Sequence, residues 1–307
     1  MALLLTFLPL MLAQIGPYAQ PGPINAARPP IEGRDAPRRK TAPPPLQLPP
    51  PLVSGKGQSC QDLVKSDPAE AESFARDWIA AAKSGELADA HYCLGTAASQ
   101  REDWAGAETA FLAARDATAA DEHRQRAQLG AAAGIAADSG GSRDRALTEL
   151  ATAHADALAV PDPALAGAIA LDRASPLFAL GRTTEAAAAL YEARATLTGN
   201  SDAWLISARF ARRQKKLEDA QSYIERAAAL NAHDPAIGLE AGVIAALSGR
   251  EAAARKSWQS VLASAPLSAE AETAKGYLAQ IGPGTALPAK TTPAAPASGQ
   301  PAGPSGR

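Results

Sequence analysis

Gly181-Arg-Thr-Thr-Glu-Ala186, Lys215-Lys-Leu-Glu-Asp-Ala220 and Gly249-Arg-Glu-Ala-Ala-Ala254 are three versions of one short phrase. Each opens on a turn-forming pair and closes on alanine, and the closing residues Ala186, Ala220 and Ala254 stand 34 apart. Four residues past each alanine comes a large apolar side chain: Leu190, Ile224 or Trp258. Three further on stands Ala193, Ala227 or Val261. Spacings of four and three place these residues on one face of a helix. A turn followed by such a helix, recurring at a fixed period, marks a stacked array, because one hairpin cannot bury its own apolar face.

Working outward, the phrase recurs upstream at wider spacing. Ala107, Phe111 and Ala114 form one copy, and Ala146, Leu150 and Ala153 another. The steps from Ala107 to Ala146 and from Ala146 to Ala186 are 39 and 40 residues, so insertions are expected in the turns there. Ser84-Gly85, Ser139-Gly-Gly141, Gly181-Arg182, Lys215-Lys216 and Gly249-Arg250 mark the turns between amphipathic segments of helix length. Ahead of the turns, Gly95 (after Leu94) and Gly242 occupy corresponding places in first helices, and Trp204 stands one helical turn earlier in its own. Small residues where two helices cross let the backbones approach, and large ones fill the space beside them.

This pattern resembles the tetratricopeptide repeat, over about residues 60–281. The resemblance implies an all-α fold, a right-handed superhelix of antiparallel helix pairs. About five repeats are expected, near 88–121, 123–160, 167–200, 201–234 and 235–268. Residues 60–84, with Leu63, Phe74, Trp78 and Ile79 at helical spacing, read as an opening cap. Its helix start is Ser66-Asp-Pro68-Ala-Glu70. Ala269–Ile281, with Tyr277 and Leu278, reads as the closing helix. The alanine-rich body, Pro-rich leader and Cys-Leu-Gly opening also resemble exported repeat proteins of alphaproteobacteria.

Of the 25 prolines, 18 lie outside that body in the runs from Pro17 to Pro51 and from Pro283 to Pro304. The expected organisation is therefore a leader at 1–19, a disordered Pro-rich linker at 20–57, a repeat solenoid at 58–281 and a disordered Pro/Ala/Gly tail at 282–307. The leader run Met1–Ala13 is uncharged and apolar but shorter than a bilayer span. It fits a secretory signal cleaved near Ala13 or Ala19, or an uncleaved membrane tether, which places the body in the periplasm or otherwise outside the cytoplasm. The two cysteines, Cys60 and Cys93, lack metal-ligand or redox-motif spacing. In an exported chain they are a disulfide candidate tying the start of the body to the first repeat.

Net charge is −2, so no basic footprint for nucleic acid exists. No nucleophile elbow, phosphate-binding loop or zinc-protease motif occurs, and no cofactor or metal is expected. His91, His123, His154 and His233 lack paired ligand spacing and read as surface residues. The expected role is a non-catalytic scaffold binding an unidentified protein partner, as a peptide or helix, in a concave groove lined by first helices. By register the groove positions are Tyr92, Thr96, Leu171, Ser175, Phe178, Leu205, Arg209, Arg212, Arg213, Leu239 and Val243. Apolar residues beside that arginine cluster suit a partner bearing carboxylates. The set of groove residues that clamps a C-terminal carboxylate in some family members is absent, since Leu171, Ser175, Ile206 and Arg209 stand there. Pro176, inside a first helix, is expected to kink it and free the Asp172 carbonyl.

Overall fold

The computed structural model describes residues 55–281, and the readings made for the leader, the Pro-rich linker and the tail fall largely outside them. Among the described residues the chain forms thirteen α-helices and no strand. Helices α1 (Gly55–Ser66) and α2 (Pro68–Ala81) open the body. Five hairpins follow: α3 (Leu87–Gln100) with α4 (Trp104–Ala117), α5 (His123–Ser139) with α6 (Arg143–Leu158), α7 (Pro163–Ala179) with α8 (Thr183–Thr196), α9 (Ser201–Arg213) with α10 (Leu217–Leu230), and α11 (Pro235–Leu247) with α12 (Glu251–Ser264). Helix α13 (Ala269–Gln280) closes the stack, Tyr277 lying against Trp258 with ring centroids 5.1 Å apart.

Every hairpin turns the same way. Five residues before each phrase-closing alanine, the backbone enters the left-handed region: Glu102 (φ 60°), Gly141 (81°), Gly181 (73°), Lys215 (60°) and Gly249 (72°). The next N–H then reaches back to a carbonyl near the end of the first helix. These bonds run from Asp103 to Ala98 (3.0 Å), Ser142 to Ala137 (2.8 Å), Arg182 to Leu177 (2.9 Å), Lys216 to Ala211 (2.9 Å) and Arg250 to Ala245 (2.8 Å). This six-to-one closure satisfies carbonyls the helix end would otherwise leave open. Glycine makes it without steric cost; Glu102 and Lys215 adopt it against the preference of a side-chain-bearing residue.

The crossing inside each hairpin explains the pairing of residue sizes. A Cβ added at Gly242 would sit 2.1 Å from the Trp258 indole nitrogen, and one at Gly95 would sit 2.7 Å from the Phe111 ring. Where the large residue is Leu190 or Ile224, alanine (Ala174, Ala208) takes the facing place in the same cluster. Trp258 is fully buried and its indole N–H donates to the Leu239 carbonyl at 3.2 Å, so the largest side chain leaves no unpaired donor.

The wide middle spacing has a different origin from the expected turn insertions. Helices α5 and α7 are 17 residues long and α6 is 16, against 13 for α9 and α11 and 14 for α8, α10 and α12. Each of α5 and α7 begins one turn earlier, relative to its phrase, than α9 and α11 do. The added turn of α7 is packed: Leu165 and Ala166 share a buried cluster with Ala127, Ala131, Leu150, Ala153, Ala157 and Ile169. No helix breaker stands in these stretches, and Asp162 caps Pro163 as Asp67 caps Pro68 and Asp234 caps Pro235. Helix α7 continues through Pro176 to Ala179, and the Leu180 N–H bonds the Pro176 carbonyl at 3.0 Å. The proline stands so near the helix end that it removes one rung without stopping the helix.

Candidate functional site

The first helices α3, α5, α7, α9 and α11 form the line from which a groove would be built. Five of the eleven residues assigned to it by register are committed elsewhere. Tyr92, Leu171, Leu205, Leu239 and Val243 are all buried, with exposures of 8, 7, 3, 0 and 4%. The expectation that they stand open to a partner is corrected: they pack between neighbouring helices, Tyr92 beside the Phe111 ring at 6.2 Å, Leu239 and Val243 in the cluster around Trp258. Stacking of adjacent hairpins widens each helix's buried stripe beyond what one hairpin requires.

Ser175, Phe178, Arg209, Arg212 and Arg213 retain some exposure and lie on α7 and α9, the first helices of two successive hairpins. The Ser175 hydroxyl donates to Asp138 of α5 at 3.1 Å. Phe178 meets Phe210 of α9 edge to face, centroids 5.4 Å apart, and the Arg213 guanidinium lies 3.9 Å over the Phe178 ring. Arg212 bonds Glu240 of α11, and Arg209 approaches the same carboxylate at 3.7 Å. Glu240 is 2% exposed, so its charge depends on these guanidinium partners.

This geometry changes the electrostatic reading of the groove. Arg212 is an internal counterion, and its side chain is only 10% exposed. Arg209 shares that role, while Arg213 stacks on an aromatic face. The cluster that looked like a waiting receptor for a partner's carboxylate already has one from its own chain. Asp172, on α7, adds a carboxyl that burial pushes up to about 7 from its ordinary 3.8. Sequence reading missed Glu240, Asp138 and Phe210. The available signal was that Glu240 follows Leu239 on an otherwise apolar helix, where a lone acid calls for a cation on the neighbouring helix.

The histidines also differ from expectation. His233 is exposed, but His154 Nε2 lies 2.7 Å from Glu192 of α8 with its side chain 15% exposed, and His123 Nδ1 lies 3.3 Å from Asp156. Asp156 also receives Arg115 at 3.0 Å, so these residues join helices within the stack. Burial lowers the pKa of His91, which lines a shallow cleft of about 420 Å³ between α3 and α4 with Leu94 and Thr109. Among the described residues, no group of three or more His, Cys, Asp or Glu could hold a metal ion, and no helix is long and apolar enough to cross a membrane.

The comparisons with known proteins agree with this architecture. Residues 177–238 match a family model described as tetratricopeptide repeat. That stretch runs from the end of α7 into α11, where the period is regular. No curated protein matches the sequence. Among solved structures, PilW, titled a widely conserved type IV pilus biogenesis factor, is 19% identical with a TM-score of 0.58, covering 71% of this chain and 96% of that one. PilF of Pseudomonas aeruginosa is 13% identical with a TM-score of 0.54, covering 73% and 100%. BtubC of P. vanneervenii is 14% identical with a TM-score of 0.52, covering 76% and 96%. With one hairpin geometry repeated five times, matched small-to-large crossings and these likenesses, the chain has the fold of a tetratricopeptide-repeat solenoid.

Proposed function

We propose that the chain is a non-catalytic scaffold of the bacterial cell envelope that holds a peptide or helix of a protein partner on the face formed by its first helices. The observation that carries this is the partly exposed path of Ser175, Phe178, Arg209 and Arg213 across α7 and α9, continuous over successive hairpins. It offers an aromatic–cation surface with hydrogen-bonding neighbours, on a rigid stack that requires no reorganisation to receive a segment. The apolar leader and Pro-rich linker support export, and a disulfide between Cys60 and Cys93 suits an oxidising compartment. The pilus role of PilW is a precedent for the architecture and not an assignment at 19% identity.

A photo-crosslinking amino acid at Ser175 or Arg213 should capture a defined partner from envelope extract, and the same probe at the exposed Glu251 on α12 should not. Equal capture from both faces, or none from the first, overturns the groove reading. The leader supports a second arrangement, a membrane-tethered assembly or secretion factor. N-terminal sequencing of the mature chain separates the two: loss of the first 13–19 residues supports the freely exported form, and an intact start supports the tether.

A further inference from the structure

Helix α1 is the first helix of the described stack, and it packs on α2 and α3 from the outside. It is 12 residues long and buries Gly57, Cys60 and Val64, with Leu63 partly covered. Lys56 adds an ion pair with Glu86 at 3.7 Å and a contact with the Trp78 ring at 5.7 Å, and both charged side chains are a little under half exposed. A helix of three turns with so narrow a buried stripe holds little stability of its own. What distinguishes it is covalent: Cys60 on α1 is bonded to Cys93 in the middle of α3, across 33 residues of sequence. The two cysteines are 2% and 0% exposed, so a reductant cannot reach either sulfur while α1 is seated.

We propose that the Cys60–Cys93 bond is a redox latch on α1: oxidation holds the helix on α2 and α3, and reduction by a dithiol releases it and uncovers the apolar surface around Trp78. The two conditions reinforce each other. The bond fastens the helix that shields it, so attack must wait for local fraying of α1. A thiolate of the dithiol then attacks one sulfur, forming a mixed disulfide and expelling the other cysteine as thiolate. The second thiol of the reductant closes its own disulfide and expels the remaining cysteine. Two electrons pass to the protein, and two protons end on Cys60 and Cys93. Freed, α1 has only its narrow stripe to hold it, and Val64, Phe74 and Trp78 lose the closure the bond provided. The five hairpins that follow are tied by their own crossings and remain folded, because each repeat depends on its immediate neighbours.

The test uses the full oxidised chain with dithiothreitol as the reductant. Under native conditions, reduction should be slower than in denaturing urea by at least about a hundredfold, since it requires local opening. Hydrogen exchange in residues 55–66 should then accelerate at least about tenfold, with α4 to α12 unchanged. A Cys60→Ser/Cys93→Ser double variant should reproduce the released state without reductant. Equal reduction rates in buffer and urea would show the sulfurs already accessible and overturn the latch. So would undiminished protection of 55–66 in the reduced chain or the double variant, or loss of protection throughout the stack.

Discussion

The middle hairpins, α5 to α7, and the later ones, α9 to α12, solve the same packing problem with different lengths of helix. In the later pair the period is 34 and each first helix starts where the repeat begins. In the middle, four further residues precede that point in both α5 and α7, yet the crossings keep their register: Gly134 faces Leu150 as Gly242 faces Trp258. The lesson is that the repeat is anchored at its crossings and turns. Length is added at the far end of the first helix, where Leu165 and Ala166 of α7 share a buried cluster with Ala153 and Ala157 of α6.

The strongest way to break this comparison is at the crossings. Gly242→Ala should lower stability by about 1–3 kcal/mol, because backbone and indole cannot both keep their places, and Gly134→Ala should cost a similar amount. Urea denaturation measures both; a loss under about 1 kcal/mol at either would show that its crossing is slack. Arg212→Ala should cost about 3–5 kcal/mol by stranding the buried Glu240 carboxylate, whereas Arg213→Ala should cost under about 1 kcal/mol, the strength of an exposed cation–aromatic contact. Equal effects would show that Glu240 does not depend on Arg212.

The added turns make a sharper claim. Leu165, 1% exposed, lies in an extension the later repeats lack, and Leu165→Ala should cost about 2–4 kcal/mol if that turn is true core. A cost near that of a surface substitution would reduce the extension to an appendage.

Asp172 tests the middle region through pH. Its folded pKa, about 7, exceeds its ordinary 3.8, so ionisation opposes folding, and the penalty is absent below pH 3.8 and complete above pH 7. Asp172→Asn should therefore raise the thermal midpoint by an amount that grows between those values and then levels. A pH-independent difference would rule out burial of the charge as its cause. A small effect is also expected at the turns: Lys215→Gly should stabilise by about 1 kcal/mol by relieving a left-handed side-chain-bearing residue, and Gly181→Ala should destabilise by a similar amount.

The repeat was legible in the sequence because its determinants are local. Turn glycines, helix caps such as Asp162-Pro163 and Asp234-Pro235, and the four-and-three spacing of alanine with Leu190, Ile224 and Trp258 all act within one hairpin. Glu102 escaped notice because a side-chain-bearing residue at positive φ leaves no compositional trace. The groove was less legible. Register alone cannot distinguish Ser175, which stays exposed, from Leu171, which does not, since both lie on the same helix a turn apart.

The sequence by itself determined the hairpin, its turn, its small-to-large crossing and the number of times it recurs, because helix periodicity and backbone preference are properties of neighbouring residues. Only the tertiary structure decided which first-helix side chains remain at the surface, that Arg209 and Arg212 answer Glu240, and that the middle spacing lengthens helices and not turns. Those outcomes depend on how one hairpin's exposed stripe is consumed by the next, and desolvation and charge pairing there join residues 28–38 positions apart.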